Sequence, residues 1–370
     1  DILRCGTYQI IFLDRVPDFA VCHESVELAK KHSNRGAAKF VNGVLRNISR
    51  KKKDVNAPNR NDIINYLSIE YSHPFWMVEL WVKEYGIDFT ENLLQTNNNV
   101  PPLTLRTNTL KVSRDYLIEE LKEQGIDYDI GLYNSEAINI RGALAFDDMD
   151  LFKKGFFQVQ DESSMLVGKI INPSEGDFII DTCSAPGGKA THLAEIMGNK
   201  GKILARDIHP HRLKLIRQNC NRLGINIIET QLFDSLEYDK FLYEKADAVL
   251  VDAPCSGLGL VRRKPDLRWK RDKTDIEELR QIQLSILRNS SSYVKKGGVL
   301  VYSTCTLCKR ENTDIVNEFL SSNTDYFIDD IEPYLPKNIK FHGKNNGCLE
   351  LYPNIHGTDG FFIARMIKNK

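Results

Sequence analysis

Phe178 to Met197 reads FIIDTCSAPGGKATHLAEIM, and three textures meet in it. FIID (178–181) is a short apolar run of strand type, DTCSAPGGK (181–189) is a turn of small residues, and Lys189 to Met197 carries helical spacing of apolar residues. Gly187 and Gly188 permit a tight turn and a close backbone approach, leaving amide groups free where the helix begins. A Walker A loop is excluded, because Ala190 follows Lys189 and Cys183 stands where the earlier glycine is required. The G-x-G-x-x-G fingerprint is absent as well. What remains is a nucleoside-binding turn between a strand and a helix.

Downstream the same alternation repeats. Strands are predicted at 202–207 (KILARD), 226–229 (NIIE), 246–252 (ADAVLVD), 297–303 (GGVLVYS) and 361–367 (FFIARMI). Helices are predicted at 163–171, 189–197, 210–223, 274–294 and 311–320, with Pro210 in a first turn and Thr274 with Glu277 as a capping box. This is an α/β class pattern of Rossmann-like type, a mostly parallel sheet covered on both faces, with functional loops at the C-terminal ends of its strands. Upstream, residues 97–157 mix Pro101-Pro102, strand-like LTLRTN, a helix over 113–124 and strand candidates near Ile138 and Phe156, a small α+β connector. Residues 1–86 carry helical spacing through Val41, Val44, Leu45, Leu80 and Trp81. The expected division is therefore 1–86 helical, 87–158 connector and 159–370 α/β core. The first residue is Asp and the opening segment starts in mid-pattern, so the helical part is read as truncated at its N-terminus.

Composition narrows the class. A chain of 370 residues, 42% hydrophobic and 27% charged, can bury a sizeable core. No apolar run reaches the roughly 18 residues of a membrane helix, and no signal-peptide pattern opens the chain, so no membrane association and a cytoplasmic location are expected. Eight scattered cysteines are too sparse for a disulfide scaffold in this length, and Cys305-x-x-Cys308 has no second pair beside it, so free thiols and no metal are expected. Fifty basic residues balance fifty acidic ones, yet Val261 to Lys273 (VRRKPDLRWKRDK) holds seven basic residues against two acidic, and Arg46 to Lys53 reads RNISRKKK. The first run marks Arg262, Arg263, Lys264 and Arg268 as contacts for a nucleic-acid backbone, with Trp269 packing the loop.

Acidic residues end successive strands: Asp207 after KILAR, Asp234 in LFDS and Asp252 after AVLV. A carboxylate at the end of the second strand suits a ribose diol, and three of them in register with the glycine turn favour S-adenosylmethionine. The expected cofactor set is Cys183, Ser184, Ala185, Pro186, Gly187, Gly188, Lys189, Asp207, Arg212, Asp234 and Asp252. Two cysteines follow apolar runs, Cys255 in DAPCS and Cys305 in YSTCT. A thiolate is suited to adding to C6 of a pyrimidine, which makes C5 nucleophilic, and a second thiol can help undo the adduct. The base must leave its stack to be reached. Asp252 is placed for the cytosine N3/N4 edge. Strand-end position alone does not rank the two cysteines.

The motifs DTCSAPGGK, DAPCSGLG, RRKPDLRWKR, YSTCT and GTDGFFIARM resemble those of the RNA cytosine-C5 methyltransferases, and within them the bacterial enzymes acting on small-subunit (16S) ribosomal RNA. The similarity runs from about residue 30 to the C-terminus. RGAAKFVNGVLRNISR resembles the end of a NusB-like helical domain, and PLTLRTN with FFQVQDESSMLV the connector. The resemblance implies that Cys305 attacks, that Cys255 assists release, and that Lys189 serves both cofactor and substrate. It also implies a ribosomal RNA partner, and nothing requires more than a monomer. Arg206 beside Asp207 departs from the small residue usual there. A DNA cytosine-C5 methyltransferase would carry Pro-Cys-Gln where Pro254-Cys255-Ser256 stands, an amino-directed enzyme would need Pro-Pro-aromatic, and a non-catalytic assembly factor would carry decayed motifs.

Overall fold

The computed structural model describes residues 1–52, 59–142, 144–341 and 347–369. The chain divides into two compact units, 1–66 and 67–370. The first holds α1 (Ile2–Phe12), α2 (Asp18–His32) and α3 (Arg35–Arg50), whose apolar faces meet through Ile10, Val21, Ala29, Val41 and Leu45. Asn34 caps α3 by accepting from Ala37 N at 2.9 Å. Helix α4 (Ile63–Glu70) runs across the division.

The second unit opens with α5 (Phe75–Tyr85) and α6 (Ile87–Asn97), separated by Gly86 at φ +86°. Residues 67–86, read from sequence with the helical N-terminal part, pack here: Trp81 is fully buried and its indole donates to Leu307 O at 2.9 Å. A βαββαβ layer follows, formed by β1 (Leu103–Thr107), α7 (Arg114–Glu123), β2 (Tyr128–Ile130), β3 (Ala137–Ile140), α8 (Asp150–Lys153) and β4 (Phe157–Val159). Its antiparallel strands run in the order β2-β3-β1-β4, over a core of Leu105, Leu117, Leu121, Ile138 and Phe157.

The core sheet contains β5 (Phe178–Asp181), β6 (Lys202–Asp207), β7 (Ile228–Leu232), β8 (Ala246–Asp252), β9 (Val294–Thr304), β10 (Tyr326–Ile328), β11 (Cys348–Leu351) and β12 (Phe361–Lys368). The order is β10-β12-β9-β8-β5-β6-β7, with β11 also on β12; β5 to β9 are parallel and β12 is antiparallel to β9. Alternation along each strand sends side chains to both faces. Ile179, Ile203, Ala205 and Leu250 meet α9 (Glu162–Ile171), α10 (Gly188–Ile196) and α11 (Pro210–Leu223). Ile180, Leu204, Val249 and Val251 meet α13 (Lys273–Ser291) and α14 (Thr313–Ser322), beyond the short α12 (Leu267–Lys270). This is the predicted Rossmann-like core.

Two local expectations shift. The capping box on α13 uses Asp272 and Asp275 rather than Thr274 and Glu277, since Asp272 accepts from both Thr274 N and Asp275 N. The third parallel strand lies two residues later than NIIE, because β7 is an edge strand whose IETQL has little apolar alternation to reveal it. No helix among the described residues is long and apolar enough to cross a membrane.

Candidate active site

Strand order reverses at β5, so the ends of β6 and β8 diverge around the turn that follows it; this is where open α/β sheets bind ligands. The turn is tied to both neighbours. Ser184 N donates to Arg206 O on β6 at 2.8 Å, and Thr182 N to Leu250 O on β8 at 3.0 Å. Gly187 sits at φ +95°, the left-handed region that a side chain disfavours, and α10 starts at Gly188. From the connector sheet, fully buried Arg106 donates to Gly188 O at 2.7 Å, to Thr191 Oγ1 at 3.1 Å and to Glu195 at 2.8 Å, clamping the first turns of that helix. Sequence reading missed Arg106, whose partners, Gln160 among them, lie 54 to 89 residues away.

A cleft of about 580 Å³ opens beyond these strand ends. Of the expected cofactor residues, Cys183, Ala185, Asp207, Arg212, Asp234 and Asp252 line it, while Ser184, Pro186, Gly187, Gly188 and Lys189 form the turn and helix start behind. Asp207 Oδ1 accepts from His209 N at 2.9 Å, and Arg212 stands 3.5 Å from Oδ2. Asp234 is exposed, its Oδ1 accepting from Leu236 N at 2.9 Å. Asp181 is fully buried, and its two oxygens, like Ser184 Oγ, have no hydrogen-bond partner among the described residues. Burial first, and the charge of Asp252 second, push its carboxyl up to about 7. Orphaned acceptors beside a lined cleft with a ribose-type carboxylate at Asp207 fit S-adenosylmethionine, whose amino-acid end brings an ammonium group.

Arg206, the departure noted in the sequence, points elsewhere. Its guanidinium lies 4.0 Å over the Phe233 ring, donates to Gln231 Oε1 at 2.8 Å and pairs with Asp239. Asp207 is on the opposite side of the strand, so the cleft is not narrowed.

The structure brings the two cysteine motifs together. Cys255 follows β8, Cys305 follows β9, and their sulfurs are 3.2 Å apart at the cleft. Asp252 Oδ1 accepts from Ser303 Oγ at 2.8 Å and Oδ2 from Lys189 Nζ at 2.7 Å. The Lys189 ammonium also lies 5.0 Å over the Phe361 ring. Burial works against its charge, but Asp252, with Cys305 and Asp181 behind it, more than offsets this and its pKa is raised. The Cys255 thiol is held well above its ordinary range, first by its hydrogen bond to Cys305, then by burial, with the charges of Cys305 and Glu311 behind. Cys308 is fully buried away from the pair.

The basic run behaves differently from expectation. Arg262 is buried, donates to Gly357 O at 2.6 Å and stands 3.5 Å from Asp359. Arg263 pairs with Asp359 and with Asp161 at 2.7 Å and donates to Pro102 O at 3.0 Å. Arg268 is buried and donates at 2.8 Å to Asn97 O, at the C-terminal end of α6, where a cation meets the negative end of the helix. These three arginines fasten the loop to the rest of the unit: Arg262 and Arg268 are buried and Arg263 half-buried, and guanidinium groups taken out of water need acceptors. Lys264 is exposed and lines the cleft. Trp269, expected to pack the loop, is 66% exposed. In the other run Arg46 Nε donates to Asn42 Oδ1 at 3.0 Å, and Lys53 lies outside the described residues.

A Rossmann-like sheet with a methyl-donor cleft and paired thiols at the ends of β8 and β9 defines a methyltransferase. Comparison with known proteins gives the family. The model of the 16S rRNA methyltransferase RsmB/F family matches residues 168–367, that of the RsmF/B-like ferredoxin-like domain residues 73–147, and that of the NusB family residues 1–50. The probable ribosomal RNA small subunit methyltransferase B of Bacillus subtilis is 39% identical over 99% of this chain and 82% of its own, and that of Synechocystis sp. 36% identical over the same shares. Among solved structures, NSun6 from Pyrococcus horikoshii, solved with the S-adenosylmethionine analogue SFG, aligns with a TM-score of 0.72 and 25% identity over 80% of this chain and 98% of that one. A methyltransferase homologue from the same organism aligns at 0.71 with 27% identity, covering 83% and 99%. The chain belongs to the RsmB/F methyltransferase family and is an S-adenosylmethionine-dependent RNA methyltransferase.

Proposed function

We propose that this protein methylates C5 of a cytosine in small-subunit ribosomal RNA through a covalent adduct between Cys305 and C6. The observation that carries the reading is the 3.2 Å approach of Cys255 and Cys305 beside the Lys189–Asp252 pair, in the cleft that Asp207 and Asp234 line. The names of the relatives, ribosomal RNA small subunit methyltransferase B, support the substrate. An enzyme working on that RNA belongs in the cytoplasm, and the reading needs no partner protein.

C5 of cytosine is a weak nucleophile. Addition of the Cys305 thiolate forms an S–C6 bond and moves the C5=C6 electron pair towards C5. Asp252 accepts from the cytosine N4 amino group, and the Lys189 ammonium beside it offsets the charge that builds on the ring. The β5 turn, Asp207 and Asp234 would hold S-adenosylmethionine, which would supply the electrophilic methyl group for C5 and leave as the neutral thioether S-adenosylhomocysteine. Loss of the C5 proton then returns the electron pair to C5=C6 and expels Cys305 as thiolate.

Cys255 is the base for that proton. In the free enzyme its thiol is held protonated chiefly by Cys305, through the hydrogen bond and, after burial, through charge. Once Cys305 is a neutral thioether both effects vanish, so Cys255 ionises more easily at the stage when a base is needed. Lys264, exposed at the cleft, takes the RNA backbone, and Trp269, exposed on α12, stacks on an unstacked base.

The test is transfer from methyl-labelled S-adenosylmethionine to unmodified small-subunit ribosomal RNA, followed by nucleoside digestion. The label is expected in 5-methylcytidine, and Cys305→Ala is expected to abolish it. Label in another nucleoside, or transfer by Cys305→Ala, would overturn the reading.

A further inference from the structure

Behind the two thiols lies a buried carboxylate that the chemistry above does not use. Glu311, in the turn between β9 and α14, is fully buried. Its Oε1 accepts from Ser256 N at 2.8 Å and from Gln283 Nε2 at 2.9 Å. Its Oε2 accepts from the Ser256 hydroxyl and from Thr306 Oγ1, the latter at 3.3 Å. Ser256 directly follows Cys255, and Thr306 directly follows Cys305. The two hydroxyl oxygens are themselves 2.7 Å apart. Gln283, on α13, also donates to Pro254 O at 2.9 Å, on the other side of Cys255. One carboxylate thus fastens the residue after each thiol, and one of its partners fastens the residue before Cys255.

The partners that hold Glu311 in this way are a backbone amide, an amide side chain and two hydroxyls, all neutral. A buried carboxylate that relies on neutral donors gives little stability that apolar packing of the same volume would not give. What it gives is geometry, since four acceptor directions fix two loops at once. Glu311 does not line the cleft, so it touches neither cofactor nor base.

We infer that Glu311 is a positioning residue which sets the separation of Cys255 from Cys305, and that its weight falls on resolution of the RNA adduct rather than on its formation. The inference rests on the cysteine roles proposed above. Cys305 also has the β9 ladder to hold it, with Thr304 paired to Phe362 on β12. Cys255 has left β8 at Asp252 and lies in an irregular loop, so it depends more heavily on the Glu311 and Gln283 bonds. Loosening the carboxylate should displace the base before it displaces the nucleophile.

The experiment compares Glu311→Gln, Ser256→Ala and Cys255→Ala with the wild type on unmodified small-subunit ribosomal RNA. Single-turnover methyl transfer, steady-state kcat and KM, SDS-stable protein–RNA adduct and thermal midpoint are measured for each. Glu311→Gln is expected to keep first-turnover transfer within about threefold, to lose about tenfold in kcat with KM for RNA falling in step so that kcat/KM is little changed, and to accumulate adduct as Cys255→Ala does. Ser256→Ala should move in the same direction by less, and it decides the matter if Glu311→Gln does not fold. Adduct with Cys255→Ala but none with either loop variant overturns the inference, as does a loss of first-turnover rate in step with kcat. No adduct even with Cys255→Ala overturns the cysteine roles and this inference with them.

Discussion

Replacing Asp181 with Asn should remove a pH dependence of stability that the wild-type protein carries. Asp181 ends β5, is fully buried, and its carboxyl is pushed from an ordinary value of 3.8 up to about 7 by burial and then by Asp252. A carboxyl raised on folding stabilises fully below its unfolded value, and that contribution is lost as pH rises towards the folded value. The whole gap is worth about 4 kcal/mol, and about 3 kcal/mol of it falls between pH 5 and 8. His73 and His192 slope the other way below about pH 6.5, because burial lowers them to about 3 and about 4. The informative quantity is therefore the difference between wild type and Asp181→Asn, measured on cofactor-free protein by urea unfolding at several pH values. All three tryptophans, at 76, 81 and 269, lie in the second unit, so their fluorescence follows the relevant transition. The wild type should lose about 3 kcal/mol relative to the variant from pH 5 to pH 8. A difference that stays flat would refute the reasoning that burial and the charge of Asp252 outweigh the neighbours, Ser184, Lys189 and Cys183, that favour the Asp181 carboxylate.

Gly187→Ala should weaken S-adenosylmethionine binding about tenfold and lower the thermal midpoint by several degrees, because φ +95° strains any side chain and the new Cβ would meet Ile216 at 3.2 Å; calorimetry with the cofactor checks it. Lys264→Ala should lower the slope of log K for RNA against log salt by about one, whereas Arg263→Ala should leave the slope and lower the thermal midpoint, because Asp161 loses its ion pair and Asp359 keeps only Arg262. A changed slope with Arg263→Ala would return that side chain to the RNA surface.

The core was legible because its strands are short apolar runs and its helices keep a 3.6-residue period. FIID, KILARD and ADAVLVD correspond to β5, β6 and β8 residue for residue. Edge elements were harder. β10 and β11 were not anticipated, since strands of three and four residues at the sheet margin have too few positions to show a period. The residues of the turn and the two cysteines stood out through their neighbours in sequence. Arg106 and Glu311 did not, because each is defined by partners distant in the chain, and a lone buried charge leaves no local pattern. The basic run misled for a related reason. Charge spacing cannot distinguish a guanidinium that faces water from one that closes on Asp359 or on the end of α6. Trp269 and Lys264, which do face outward, carry the same signature in sequence as the arginines that do not.

Cys255→Ala, incubated with S-adenosylmethionine and unmodified small-subunit ribosomal RNA, then digested with nuclease and protease, offers the sharpest comparison of the two thiols. Mass spectrometry should find the peptide containing Cys305 carrying a methylated cytidine nucleotide on its sulfur, and the double variant Cys255→Ala/Cys305→Ala should carry none. A nucleotide attached to any other residue, or an unmodified Cys305 peptide alongside continued methylation, would contradict the assignment of Cys305 as nucleophile.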